Sequence, residues 1–240
     1  MNQGSGSAIT RRMFVASLCS VPLTGCQDGG ATVRFRVIAK VLHKGSKYEA
    51  STVMECRYAR IKNSLVGMGG STTLYGEALI FDLPAGLGTF YLLPRWRGAD
   101  GGLNQVYEQG VLSTLGIKSS VGGLKDSDLE LLSNARGRKA FDFFGHMPTI
   151  VVFQDETNPK SIIEIGRGEF ATIFPGAEFV GLDIEITTDP VTDQLTQRLP
   201  WLDAREQVFD RDPPGRQRPD RDIPIGFMIT KSHFFGNGSR

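Results

Sequence analysis

Three histidines and three cysteines carry most of the reactive chemistry open to this chain of 240 residues, and their spacing narrows it quickly. His43, His146 and His233 lie far apart, and none has a His partner four residues away or a CxxC neighbour, the spacings that make a metal site specific. No metal site and no cofactor is expected. Asp142 and His146 stand four apart, so a helix would place them on one face as an acid/base pair. Pro148 argues instead for His146 closing that helix. Asp126 with Asp128, and Asp155 with Glu156, could offer oxygen ligands to Ca²⁺. Neither group continues into an EF-hand loop, and cap and turn roles account for them. Trp96 between Arg95 and Arg97, near Tyr91 and Tyr107, could form an aromatic and cationic binding surface. Packing at a half-buried strand end explains the same residues. Cys56 lies in an alternating stretch on the side of Met54 and Tyr58, with no His near it in sequence, so it reads as a small buried hydrophobe rather than a catalytic thiol. The nucleotide, hydrolase and zinc-protease signatures, GxGxxG, the P-loop, GxSxG and HExxH, are absent.

The remaining cysteines, Cys19 and Cys26, belong to a different kind of segment. Residues 1–12 are polar, with Arg11 and Arg12 and no acid, and the apolar run Met13–Leu23 follows. These are the n- and h-regions of an export signal. The run is eleven residues long and holds Ser17, Ser20 and Pro22, against the roughly 20 apolar residues a spanning helix needs. Leu23-Thr24-Gly25-Cys26 resembles the lipobox of bacterial lipoproteins. The resemblance implies cleavage before Cys26, acylation of its sulfur and attachment to the membrane through it, since several acyl chains on one cysteine hold a protein permanently. Gln27 stands where an Asp would retain such a protein at the inner membrane, so the resemblance points to the outer membrane, facing the periplasm. Thr10-Arg11-Arg12-Met13-Phe14-Val15 resembles the twin-arginine export signal, departing from its fuller pattern at Ala16; the general secretory route stays open as the alternative.

Charge supports the same reading. With 27 Lys and Arg against 26 Asp and Glu, net +1, the chain lacks the basic excess that a nucleic-acid binder needs. Without residues 1–25, which include Arg11 and Arg12, 25 basic residues face 26 acidic ones. Once Cys19 is removed and Cys26 acylated, Cys56 is left alone and no intramolecular disulfide is available.

The elements that must position any site are mostly short strands. Apolar residues at every second position from Val33 to Val41 predict a strand, Lys44–Lys47 a turn, and Tyr48–Ile61 the returning strand. Thr73–Leu83 and Thr89–Leu93 read as two more, with a glycine-rich break at 67–71 before them. Asp126 or Ser127 predicts a helix N-cap, with Arg136 and Arg138 around Gly137 at the helix end rather than, with Lys139, a basic binding patch. Pro148–Gln154 and Ser161–Ile165 read as a hairpin, Val180–Thr187 as a strand, and Asp189-Pro190 as the start of a helix ended by Pro200. Residues 203–222 hold six acidic and five basic residues and three prolines, the composition of a solvated loop, and Ile223–Phe235 returns to strand-like composition.

The expected fold is α+β, mainly antiparallel β in a sandwich-like sheet with a few short helices. The expected organisation is an export signal at 1–25, a lipid-anchored tether at 26–31 and one β-rich globular domain at 32–240, with 203–222 as its charged loop. Pro148–Phe153, Asn158–Ser161, Phe174-Pro175-Gly176 and Leu199–Leu202 resemble uncharacterised bacterial proteins, which brings no activity. The expected function is that of a lipid-anchored envelope protein, a non-enzymatic binding or structural module whose partner is another envelope protein or a small ligand. The alternative is a periplasmic lipoprotein enzyme, a hydrolase using Asp142 and His146.

Overall fold

A computed structural model describes residues 30–59, 71–99, 101–118, 124–205, 208–209 and 223–238. Arg11, Arg12, Leu23, Thr24, Gly25 and Cys26 lie outside them, as does most of 203–222.

The alternation that begins at Val33 makes the longest hairpin of the molecule. β1 (Ala31–His43) pairs antiparallel with β2 (Ser46–Ala59) from Ala31↔Tyr58 to His43↔Ser46. The loop between them is Lys44-Gly45, with φ of 50° and 78°. Positive φ at both central residues is what a type I′ turn requires, and glycine takes it without strain. β3 (Ser71–Tyr75) adds to β2, while β11 (Ala177–Ile186) and β8 (Arg138–Ala140) extend the other side, giving the order β3-β2-β1-β11-β8.

Val33, Phe35, Val37, Ala39 and Val41 point one way from this sheet, with Met54, Cys56, Tyr58, Leu182 and Ile184. The opposite face carries the intervening charges. Glu55 accepts from Arg34 and Arg57, each at 2.7 Å; Asp183 pairs with Lys40 at 2.5 Å and Arg138 at 2.7 Å; Arg138 reaches Glu49 at 2.7 Å. Burial alone would raise the Glu55 carboxyl, but the two guanidiniums outweigh it and hold it below the usual carboxylate range.

A second antiparallel sheet, in the order β10-β9-β5-β4, covers that apolar face. It comprises β4 (Leu79–Leu83), β5 (Gly88–Leu92), β9 (Ile150–Phe153) and β10 (Ile162–Ile165). Phe81, Phe90, Leu92, Ile150 and Val152 enter the core between the sheets, where Phe90 stacks on Phe81 at 4.8 Å and meets the Phe170 edge at 5.3 Å. Alternate residues Tyr91, Leu93, Val151 and Ile162 point the other way, into a second apolar cluster formed with Leu195, Leu199, Ile225, Ile229 and Phe234. The second sheet is therefore buried on both faces, which is why its strands are so uniformly apolar. The fold is α+β and β-rich, with two facing antiparallel sheets and short helices, as the sequence predicts.

Several elements differ from expectation. Thr73–Leu83 is two strands in different sheets, because the chain crosses at 76–78; Gly76 has a φ of 128° and Glu77 is buried there. Helix α1 (Tyr107–Thr114) was not predicted. Gly110 weakens its helical pattern but lets the half-buried Phe141 ring approach closely, since a Cβ there would lie 2.4 Å from that ring and would displace it. Helix α2 (Asp126–Ser133) forms where expected, but its N-cap is Lys125 and not Asp126 or Ser127, because the helix already includes both; Asp128 accepts from the Lys125 N–H. Arg136 donates to the carbonyls of Ser133 and Ala135 at the end of α2, while Arg138 belongs to β8 and its ion pairs. Helix α3 (Phe170–Ile173) is a single turn. The helix expected from Asp189 shrinks to α4 (Leu195–Arg198), because Asp189 pairs with Arg36 instead of capping it. Ile223–Phe235 is no strand: α5 (Ile225–Met228) and a 3-10 turn at Lys231–Phe234 cap the second core. Within the expected solvated loop, Phe209 is buried, stacked on Phe234 at 6.1 Å. One aromatic side chain outweighs the polar composition around it.

Candidate functional site

β6 (Arg95–Arg97) and β7 (Leu103–Gln105) form a small hairpin beside the two sheets. Its first strand is tied to the segment before β9: the Thr149 N–H donates to the Arg95 carbonyl at 2.7 Å, and the Leu93 N–H to the Thr149 carbonyl at 3.0 Å. Between this hairpin, the turn at 143–149 and the end of β10 lies a cleft of about 330 Å³. Its polar lining is Arg97, His146, Thr149, Glu164 and Arg167; Trp96, Met147, Ile150, Ile165 and Phe179 supply apolar surface.

The polar groups converge from β6, the 143–149 turn and the end of β10. Arg97, on β6, pairs with Glu164, on β10, at 2.8 Å, and donates twice to the Ile223 carbonyl at 3.2 and 3.3 Å. Burial raises the Glu164 carboxyl above its ordinary range despite Arg97 beside it. His146 is exposed and lays its ring on Trp96, with centroids 4.0 Å apart at 34°. Phe143 meets the Trp96 edge at 5.8 Å. Arg167 follows β10, is exposed, and forms no ion pair with a described residue. The Arg97 Nε–H and the Thr149 hydroxyl are buried without a hydrogen-bond partner among the described residues. At the tip of the 143–149 turn, Phe144 is 76% exposed with a φ of 50°, a left-handed conformation rare for an aromatic residue.

The sequence candidates separate on this geometry. His146 lines the cleft and Asp142 does not. Residues 141–149 form an irregular turn, not a helix, so the shared helical face expected for that pair does not form. Asp142 is tied through its backbone to Thr114. Trp96 and Arg97 line the cleft, whereas Arg95 is buried and donates to the Ser232 and Phe235 carbonyls at 3.4 and 3.2 Å. Asp155 accepts from the Thr157 N–H and hydroxyl, the turn role expected of it, whereas the Glu156 carboxylate goes to distant partners, Arg198 at 2.8 Å and the Tyr91 hydroxyl at 2.7 Å. Cys56 is fully buried and its thiol is pushed up by that burial, a structural cysteine. Glu164 and Arg167 were not singled out from sequence. Their signal was faint, a lone acid among β-branched residues with an arginine three positions on.

Among the described residues no group of three potential ligands could hold a metal ion, and no helix is long and apolar enough to cross a membrane. No family model matches the chain, and the search of curated proteins and that of solved structures each found no match.

Proposed function

We propose that the chain is an envelope lipoprotein, held to the membrane through acylated Cys26, whose β-rich domain binds a partner or ligand rather than transforming one. The observation that carries this reading is the apolar run ending in Leu23-Thr24-Gly25-Cys26 only five residues before β1 begins. Such a tether spans at most about 17 Å, so the Ala31 end of β1 would rest close to the bilayer. The cleft lies toward the other end: Phe179, in its lining, pairs with Val41, ten residues along β1, or roughly 33 Å away. An anchor at Cys26 would thus leave Phe179, in one wall of the cleft, toward the end of β1 away from the membrane. Metabolic labelling with palmitate should mark the wild-type chain and not Cys26→Ser; equal labelling of both would remove the anchor.

A periplasmic hydrolase is the second reading, favoured by a single observation. Glu164, its carboxyl raised by burial, shares the cleft with His146, and perturbed carboxyls in clefts are candidate general acids. Against it, Glu164 faces Arg97, and the described cleft lining includes no Ser or Cys to act as a nucleophile.

A further inference from the structure

We propose that the cleft takes a small carboxylate-bearing molecule, its negative end held by Arg167 and its hydrocarbon body lying against Met147, Ile165 and Phe179. The inference rests on the cleft being a binding site, as in the reading above, and not on the anchor.

The charge balance of the cleft selects the ligand's sign. Glu164, the one carboxylate in the lining, is already engaged by Arg97 at 2.8 Å, so the pair is close to neutral toward a visitor. Arg167 is left as a cation with no ion-pair partner among the described residues. Glu169, the next acid along, acts on Glu164 through space, and its own carboxylate accepts from the Gly166 N–H at 3.0 Å. The Arg97 Nε–H and the Thr149 hydroxyl, on two of the lining residues, are buried without a partner among the described residues and lie out of a visitor's reach. Arg167 therefore decides the sign: a ligand negative at one end pairs with it, and a cation does not. Guanidinium groups match carboxylates in shape as well as charge, since two parallel N–H bonds can meet two oxygens.

Volume and lining select the rest. At about 330 Å³ the cleft lies at the small end of ligand sites, too small for a long peptide or a nucleotide with several phosphates. Its apolar residues give a hydrocarbon or aryl body a surface to lie on. The Trp96 ring is covered on one side by His146 and at its edge by Phe143, so it reports on the cleft without itself being a free stacking platform.

The test is an NMR titration of the full-length chain in neutral detergent, following the Trp96 indole resonance, with benzoate and its uncharged isostere benzamide. Benzoate should bind about tenfold more tightly than benzamide, the difference between a charge-assisted and a neutral hydrogen-bonded contact. Arg167→Gln should abolish that preference, Arg167→Lys should restore part of it, and Lys139→Gln, an exposed cation on β8, should leave it intact. Equal affinities in the wild type, a preference that survives Arg167→Gln, or no Trp96 shift up to about 20 mM benzoate would each overturn the proposal. The palmitate result bears on the anchor alone, so the two readings fail separately.

Discussion

His233 sits at the end of the chain's last described turn with its Nδ1 accepting from the Thr230 N–H at 2.9 Å, a bond only the neutral ring can take. Burial, then the nearby Arg95 guanidinium, lowers its pKa from 6.5 to about 4. The folded value lies below the unfolded one. Its contribution to stability is therefore complete above about pH 6.5 and is lost as pH falls toward 4 and below. His233→Asn offers an acceptor in a similar place without titrating. Unfolding followed between pH 7 and pH 4.5 should show the wild type losing more stability than the variant over that window, and parallel losses would show that His233 does not titrate as described. At this scale the sequence is legible where packing dictates a residue and opaque where partners do. Cys56 was readable as core from its alternation with Met54 and Tyr58. Glu164 was not, because the burial that raises its carboxyl, and its pairing with Arg97, 67 positions away and on another strand, are tertiary events.

Elements were legible in proportion to how locally their pattern is determined. β1, β2 and the Lys44-Gly45 turn follow from period-two alternation and one glycine, and the β9–β10 hairpin from its apolar runs around a turn-rich loop. The crossing at 76–78 was hidden because apolar residues continue through it on both sides, while the switch of sheets is a tertiary event. Ile225 and Ile229, four apart, carried a helical spacing that the β-branched composition of the segment obscured. Glu77 marks that crossing and explains why it is stable. Only 1% exposed, its Oε1 accepts from the Gln194 and Leu195 N–H groups at 2.6 and 3.0 Å, satisfying the start of α4 from a distant part of the chain. Glu77→Ala should cost about 2 kcal/mol in unfolding free energy, since it strands the buried Leu195 N–H and removes the acceptor of the Gln194 N–H, and Glu77→Gln, which keeps an acceptor, clearly less. Equal losses in the two variants would mean that the α4 contact does not carry the effect.

For the whole molecule, the two-sheet core and the second apolar layer under the C-terminal segment make a rigid support for the β6 hairpin and the cleft beside it. Glycine-rich composition fits this architecture, since short strands need frequent turns. The sheet class was readable from composition and periodicity, whereas the cleft was not, because it exists only where β6, the 143–149 turn and β10 converge. On the charged outer face of the first sheet the exposed ion pairs contribute little pair by pair, whereas Glu55 and Asp183 are buried and depend on the cations that pair with them. In the reading we propose, residues 1–26 carry export and anchoring, and these would decide where that support and its cleft are displayed. Mass spectrometry of the chain purified from its native envelope tests this most directly. The account predicts an N-terminal peptide that begins at Cys26 and carries diacylglyceryl and acyl mass. An N-terminus at Met1, or at any residue with an unmodified Cys26, would contradict it.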